Sequence, residues 1–541
     1  VFDAVCREVW SALLVDPGER LPMRSVETVL LLVVLATVVA TFARRLSIPA
    51  PSLLVVAGVG VGLLPGVPEI RATPELVSLV VLPPLIYAAG EEMPWRDLRA
   101  VWRPVTVLAV GLVLASAAAV GLVAAAVAPL PASMAFVLGA VLASTDPVAV
   151  SALGRRLSLP PRIQVLVQAE SLFNDATSLV LFRLAVSAAL AGGAVSFGSV
   201  GGEFLLLAGG GLVVGLVVAG GIWLVRRRTV DPILETVIAL VSPYSAYVLA
   251  ETLGGSGVTA VVVCSVVLGA QTPKITTAHI RLQVEAVYGT VIFILESAVF
   301  GLIGLQLPYL VRALAGSDPG WPWQALVITA ALIAIRFLWV FPLGWIMQLR
   351  QGNRRLNWRT STVVSWAGAR GVVPLAAVLS IPLLADDGQP VPQRDLVLAL
   401  ATTVIVITLV AQGFTLAPLV KRAGIARTPA EARREHDLAN VRLAEAGLAH
   451  LEQFYDLEAA PRAVLDRLRQ GLLARIDHGS AVEEPPGSSA AAVYRQLRRE
   501  LLAVEMAELT RLFEDGDIDD STRRRLQRTL DLEDARLGDE P

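Results

Sequence analysis

Thirteen long apolar runs joined by short loops fill most of this 541-residue chain, and that pattern constrains its fold more than any other feature. They lie near 27–45, 50–66, 75–90, 104–128, 132–153, 162–190, 200–225, 231–251, 256–270, 283–307, 322–349, 358–384 and 395–420. A membrane helix needs about 20 mostly apolar residues, and in lipid a single segment satisfies its own backbone only as a helix. The second, third and ninth runs are short, so twelve or fourteen spans stay open, and residues 1–25 have room for an interfacial helix. Charge is distributed accordingly. Residues 1–420 hold 26 Lys+Arg and 23 Asp+Glu, about 12%, whereas residues 421–541 hold 19 and 24, about 36%, against about 25% in an ordinary soluble domain. With 55% hydrophobic residues and a mean hydropathy of +0.65, the chain is neither one soluble globule nor a disordered segment.

The expected architecture is an all-α polytopic membrane protein of about 13 transmembrane helices with a helical cytoplasmic tail. Its parts are an extracytoplasmic segment (1–25), a membrane domain (26–421) and the tail (422–541). Cys6 and Cys264 are too far apart in sequence and context to suggest a disulfide scaffold or a zinc site. No basic block points to nucleic acid, leaving lipid as the surrounding partner. Arginine outnumbers lysine 43 to 2, which with abundant Ala, Gly and Val reads as a GC-rich bacterial genome, and hence a bacterial inner membrane.

Cytoplasmic loops carry excess Lys and Arg. Counting from the first span, alternate loops hold 17 cations, among them Arg96, Arg99, Arg103, Arg226, Arg227 and Arg228; the opposite loops hold 3, Arg71, Arg312 and Arg394. Thirteen spans therefore put the N-terminus outside and the tail in the cytoplasm.

A charge near the bilayer centre costs about 2.5–3.5 kcal/mol on insertion scales, so such residues are functional candidates. Asp146, Glu170, Asp175, Arg183, Glu296, Arg336 and Arg370 fall well inside the spans; Glu235 and Glu251 fall near span ends, where interfacial water would solvate them. In the sixth span, with Glu170 at 0° and about 100° per residue, Asn174 lies at about 40°, Ser178 at 80°, Ser171 at 100° and Asp175 at 140°. One helix face thus offers two carboxylates, an amide and two hydroxyls, hard oxygen donors suited to an alkali cation or a proton. Pro147 after Ser144-Thr145-Asp146 interrupts the fifth span, and Gly368, Gly371 and Pro374 loosen the twelfth around Arg370. Matching interruptions in two halves mark a transporter's midplane site, and the odd offset of seven spans gives the antiparallel arrangement of an inverted repeat.

Thr145-Asp146-Pro147, Glu170-Ser171-Leu172-Phe173-Asn174-Asp175 and Gly368-Ala369-Arg370-Gly371 resemble the signatures of the monovalent cation/proton antiporters, specifically the bacterial sodium/proton exchangers related to the eukaryotic NHE exchangers. The resemblance extends over essentially all of 26–425, including the stretches beginning at Glu296 and Arg336. It implies a homodimer with a six-helix core that moves like an elevator. Asp175 would load sodium (or lithium) and proton alternately, Thr145, Ser171 and Glu170 would help form the cation site, and Asp146 and Asn174 would hold the crossed unwound segments. Arg370 would pair with Glu170, while Arg336 and Glu296 would support the site. Asn174 in place of a second aspartate implies electroneutral exchange; Ala176 stands where the family often has glycine.

Potassium/proton exchange on the same scaffold is a second reading, because residue counts do not separate the two cations. An intramembrane protease is a third, but the four histidines lie in a loop or the tail and no Gly-x-Gly-Asp context accompanies the aspartates. A channel, or a sensor working through its tail, is a fourth. In the tail, helices are expected over 430–454, 461–476 and 489–513, the last with a stripe of Val493, Leu497, Leu501, Met506, Leu509 and Leu512.

Overall fold

The computed structural model describes residues 50–64, 77–146, 159–190, 197–229, 231–314, 319–350, 358–382, 384–385, 389–425, 429–456, 462–480 and 490–515, with isolated positions elsewhere. Most of the first expected span and the end of the fifth, from Pro147 onward, lie outside the described residues, as do Arg44, Arg45, Arg71, Arg155, Arg156, Arg354 and Arg355. Two compact units divide the chain at residue 427.

The first unit is helical throughout its described length apart from turns and one isolated bridge between Leu384 and Pro390. In order come α1 (Ala50–Gly62), α2 (Leu82–Glu91), α3 (Trp95–Thr106), α4 (Val113–Val127), α5 (Ala132–Leu142), α6 (Pro161–Leu190) and α7 (Phe197–Arg226). Then follow α8 (Pro232–Thr252), α9 (Gly257–Ile275), α10 (Ala278–Leu314), α11 (Trp321–Arg350), α12 (Trp358–Trp366), α13 (Val372–Leu379) and α14 (Arg394–Ala423). Within the described residues, each expected span from the second onward contains one of these helices, the fifth only as far as Leu142 and the twelfth as the pair α12 and α13. Seven helices among the described residues are long and apolar enough to cross a membrane.

The fourth span starts earlier than hydropathy places it. A π-helical turn over Val107–Leu112 joins α3 to α4, so one continuous helix runs from Trp95 to Val127. Its first turns are amphipathic rather than apolar, which hides them from a hydropathy window. Small residues let helices approach closely where lipid supplies no hydrophobic drive for association. A β-carbon on Gly58 would lie 2.7 Å from the Gly301 carbonyl oxygen, so α1 and α10 touch backbone to backbone.

Of the two acids expected at span ends, Glu235 is inside the protein together with the loop residue Arg226, whereas Glu251 is half-buried. Glu235 is fully buried on α8 and accepts from Arg226 Nε at 2.8 Å; Arg226 is itself 1% exposed and lies 3.6 Å from Glu91 Oε1. The loop arginine is therefore a structural ion-pair member, and interfacial water does not explain Glu235. Glu251 receives both Nη groups of Arg183, at 2.8 and 2.6 Å, and the Gly257 N–H at 2.8 Å. Arg183 thus ties α6 to the end of α8 and the start of α9.

The second unit contains α15 (Pro429–Asp456), α16 (Arg462–Ser480) and α17 (Ala490–Glu514), close to the expected helices. On α17 the buried stripe runs through Leu502 and Leu509, with Met506 half-buried, while Leu497 and Leu501 are about half exposed. The expected stripe is thus rotated part of a turn, because Leu502, which the spacing passes over, is the residue packed inside.

Candidate functional site

Two helices that stop inside the membrane unit meet at the site. α5 ends at Leu142 and leaves Ala143–Asp146 non-helical; α12 ends at Trp366 and α13 begins at Val372. The two unwound segments cross, with the Asp146 N–H donating to the Ala369 carbonyl at 2.7 Å. Such breaks leave orphan carbonyls at helix C-termini and orphan N–H groups at N-termini, with partial negative and positive charge respectively.

Two buried arginines and the half-buried Asp146 answer these ends. Arg370 Nε donates to the Leu142 carbonyl at 2.9 Å, closing the negative end of α5, and its Nη1 donates to the Gly368 carbonyl. Arg336 donates to the Val364 and Ser365 carbonyls at 3.1–3.3 Å, closing the end of α12. Asp146 Oδ2 accepts from the Val372 N–H at 3.3 Å, placing an acid at the positive end of α13. The fit is tight. A β-carbon at Gly371 would fall inside the Asp146 carboxylate, and one at Gly368 would lie 2.6 Å from Arg336 Nε.

Against this crossing lies the polar face of α6. Asn174 Nδ2 donates to Thr145 Oγ1 at 2.7 Å, and Ser171 Oγ donates to the Thr145 carbonyl at 2.7 Å. The Thr145 N–H reaches Asn174 Oδ1 at 3.4 Å, and Ser178 Oγ donates to the Ala140 carbonyl at 2.7 Å. Asp175, 9% exposed, accepts from Ser144 Oγ through Oδ1. Thr145, Asp146, Ser171, Asn174 and Asp175 are therefore gathered in one place. Ser144 belongs with them, although sequence reasoning used it only to locate the helix break. Its signal was a second hydroxyl beside an aspartate in an interrupted helix.

The two acids of α6 have opposite surroundings. Glu170, 1% exposed, receives Arg336 Nη1 at 2.5 Å and Nη2 at 3.1 Å. The expected pairing of Glu170 with Arg370 is thus replaced by one with Arg336, because the Arg370 guanidinium is spent on the carbonyls of Leu142 and Gly368. Glu170, neutralised in that way, is turned to the arginine rather than to the hydroxyls around Asp175. Among the described residues no arginine or lysine comes within ion-pair distance of Asp175. Glu296 is half-buried on α10.

A buried acid beside two crossed, interrupted helices defines a secondary carrier of the membrane. The chain belongs to the sodium/hydrogen exchanger family, whose transmembrane model matches residues 31–422. It is 34% identical over 531 residues to an uncharacterised sodium/proton exchanger of Mycobacterium tuberculosis, covering 94% of this chain and 96% of that one. A sodium, potassium, lithium and rubidium/proton antiporter of Bacillus subtilis is 34% identical over 378 residues, 67% of this chain and 56% of the relative. The solved sodium/proton antiporter MjNhaP1 of Methanocaldococcus jannaschii shares the fold, with a TM-score of 0.61 and 20% identity over 74% of this chain and 99% of that one.

Proposed function

We propose that this chain exchanges sodium for protons, one for one, by letting the two compete for the Asp175 carboxylate. The observation that carries the reading is the contrast within α6: Glu170 has a buried arginine for a partner and Asp175 has a hydroxyl. An ionised Asp175 leaves a net negative charge in the site, and moving an uncompensated charge through the membrane is expensive. Sodium or a proton removes that charge, so the loaded forms cross and the empty form does not. Exchange follows from that single inequality. Thr145 and Ser171, with Ser144, supply hydroxyl oxygens beside Asp175 for a hard cation. Asp146, Asn174, Arg336 and Arg370 hold the crossing that presents them.

In this reading the core helices move as an elevator within a homodimer. The protein sits in the bacterial inner membrane with its N-terminus outside and its tail in the cytoplasm, the orientation favoured by the 17-to-3 arginine and lysine asymmetry of the loops. The breadth of cations in the Bacillus relative's name favours a second reading, in which potassium or lithium also serves as substrate.

Reconstituted vesicles with an internal pH dye test both. A sodium pulse alkalinises or acidifies the lumen in wild type and does nothing in Asp175→Asn; retained exchange in that variant rejects the assignment. Parallel pulses of lithium and potassium rank the cations. An exchange rate that responds strongly to imposed voltage rejects one-for-one stoichiometry.

A further inference from the structure

A cavity of about 390 Å³ opens between the start of the long α3–α4 helix, α6, α7 and α9, and the transport chemistry makes no use of it. One wall is a stripe of α3. With Trp95 at 0°, Arg99 lies at about 40°, Trp102 at −20°, Thr106 at 20° and Val110 at 60°, and all five line the cavity. Arg103 and Arg96 follow at about 80° and 100°, while Asp97 falls at about 200°, on the far side of the helix. The other walls are mainly apolar, with Phe173, Ala176 and Val180 of α6 and Phe204 and Ala208 of α7; the two hydroxyls among them, Thr177 and Thr259 of α9, are bonded to the Phe173 carbonyl and to Ser256.

The lining is graded along its length. Arginines and two half-exposed tryptophans stand at the end that the loop asymmetry assigns to the cytoplasmic interface. From Trp95 to Val110 is about 22 Å at 1.5 Å per residue, and the deeper half offers apolar contact with little else. Tryptophan at a membrane interface sits at headgroup depth, and basic clusters there attract anionic lipid. Arg99 has no carboxylate partner among the described residues. Arg103 stacks over the Trp102 ring with its guanidinium carbon 5.5 Å from the centroid, on the same side of the helix.

We propose that this cavity binds an anionic glycerophospholipid of the inner leaflet, with its phosphate on Arg99 and the adjoining arginines and an acyl chain running inward past Ala176 to Phe204. The charge gradient matches an amphiphile that enters from one leaflet, head outermost. The chain then passes beside the residue next to Asp175, in the seam between α6 and α7. If the core moves as proposed above, that seam shears in every cycle and occupancy of the cavity governs its rate. Binding itself does not depend on that mechanism.

The test uses the full-length protein reconstituted with phosphatidylcholine alone or mixed with phosphatidylglycerol, and measures lipid retained after detergent extraction by native mass spectrometry. Wild type is expected to retain phosphatidylglycerol in preference to phosphatidylcholine. Arg99→Gln should lower that preference about fivefold, the weight of one basic side chain at an anionic surface. Ala208→Phe, which fills the cavity from α7, should abolish retention while the elution profile and helicity stay unchanged. Equal retention of both lipids, or retention indifferent to Ala208→Phe, overturns the proposal. Asp175→Asn should retain phosphatidylglycerol like wild type, so that loss of exchange with lipid kept indicts only the transport reading, and lipid lost with exchange kept indicts only this one.

Discussion

Arg336 performs two tasks at once, and removing it should reveal both. Its guanidinium lies at 2.5 and 3.1 Å from the Glu170 carboxylate, with side-chain exposures of 3% and 1%, and it also caps the carbonyls of Val364 and Ser365. Breaking a buried ion pair from one side costs about 3–5 kcal/mol, mostly because the remaining charge is stranded. Arg336→Gln should therefore destabilise the protein by at least that amount, with the uncapped end of α12 adding about 1–3 kcal/mol. Glu170→Gln/Arg336→Gln removes the stranded carboxylate and should recover about 2 kcal/mol or more relative to the sum of the single changes. The caps stay lost, so recovery is partial. The assay is a double-mutant cycle on unfolding midpoints in detergent, run beside an identical cycle for Glu170 with Arg370. Arg370 bonds to Leu142 and Gly368, so its coupling to Glu170 should be the smaller. Additive effects for Glu170 and Arg336, or stronger coupling to Arg370, would refute the assignment of the pair.

Gly371→Ala forces a methyl group into the Asp146 carboxylate, so exchange should fall by at least tenfold while Gly60→Ala, where a β-carbon meets open space, leaves it unchanged. Ser144→Ala removes the hydroxyl that donates to Asp175; vesicle assays should show a shifted sodium KM and a displaced pH profile with the protein still folded. Competition for one carboxylate also requires that acidifying the cation-loading side raise the apparent sodium KM without lowering the maximal rate; a pure fall in maximal rate would contradict it. Arg226→Gln strands Glu235 and should cost about 3–5 kcal/mol by unfolding midpoint, whereas Arg183→Gln, at a pair about one-third exposed, should cost about 1 kcal/mol or less.

Much of the fold is legible in hydropathy because lipid accepts few solutions. A long apolar run has to satisfy its backbone internally, so the described parts of the runs from Ala50 to Ala423 are mostly helical, and the sequence around Asp146 and residues 368–371 marks where helix gives way. The same reasoning loses the first turns of α3, since an amphipathic interfacial helix with three arginines resembles a loop to an averaging window. The site residues of α6 are legible for a similar reason: acids, amide and hydroxyls at helical spacing share a face wherever that helix is placed.

Periodicity within one segment, then, determined by itself the helices, the interruptions and the polar stripe ending at Asp175. Partnership between segments was decided only by tertiary structure. Glu170 takes Arg336, separated from it by 166 residues, while Arg370 turns to the end of α5, and Glu235 disappears into the protein with Arg226. The reason is range. Backbone geometry fixes which side chains of one helix share a face, but electrostatic pairing depends on distances across packed helices, and any buried arginine in the chain is a candidate for any buried acid until the packing brings one of them to 2.5 Å.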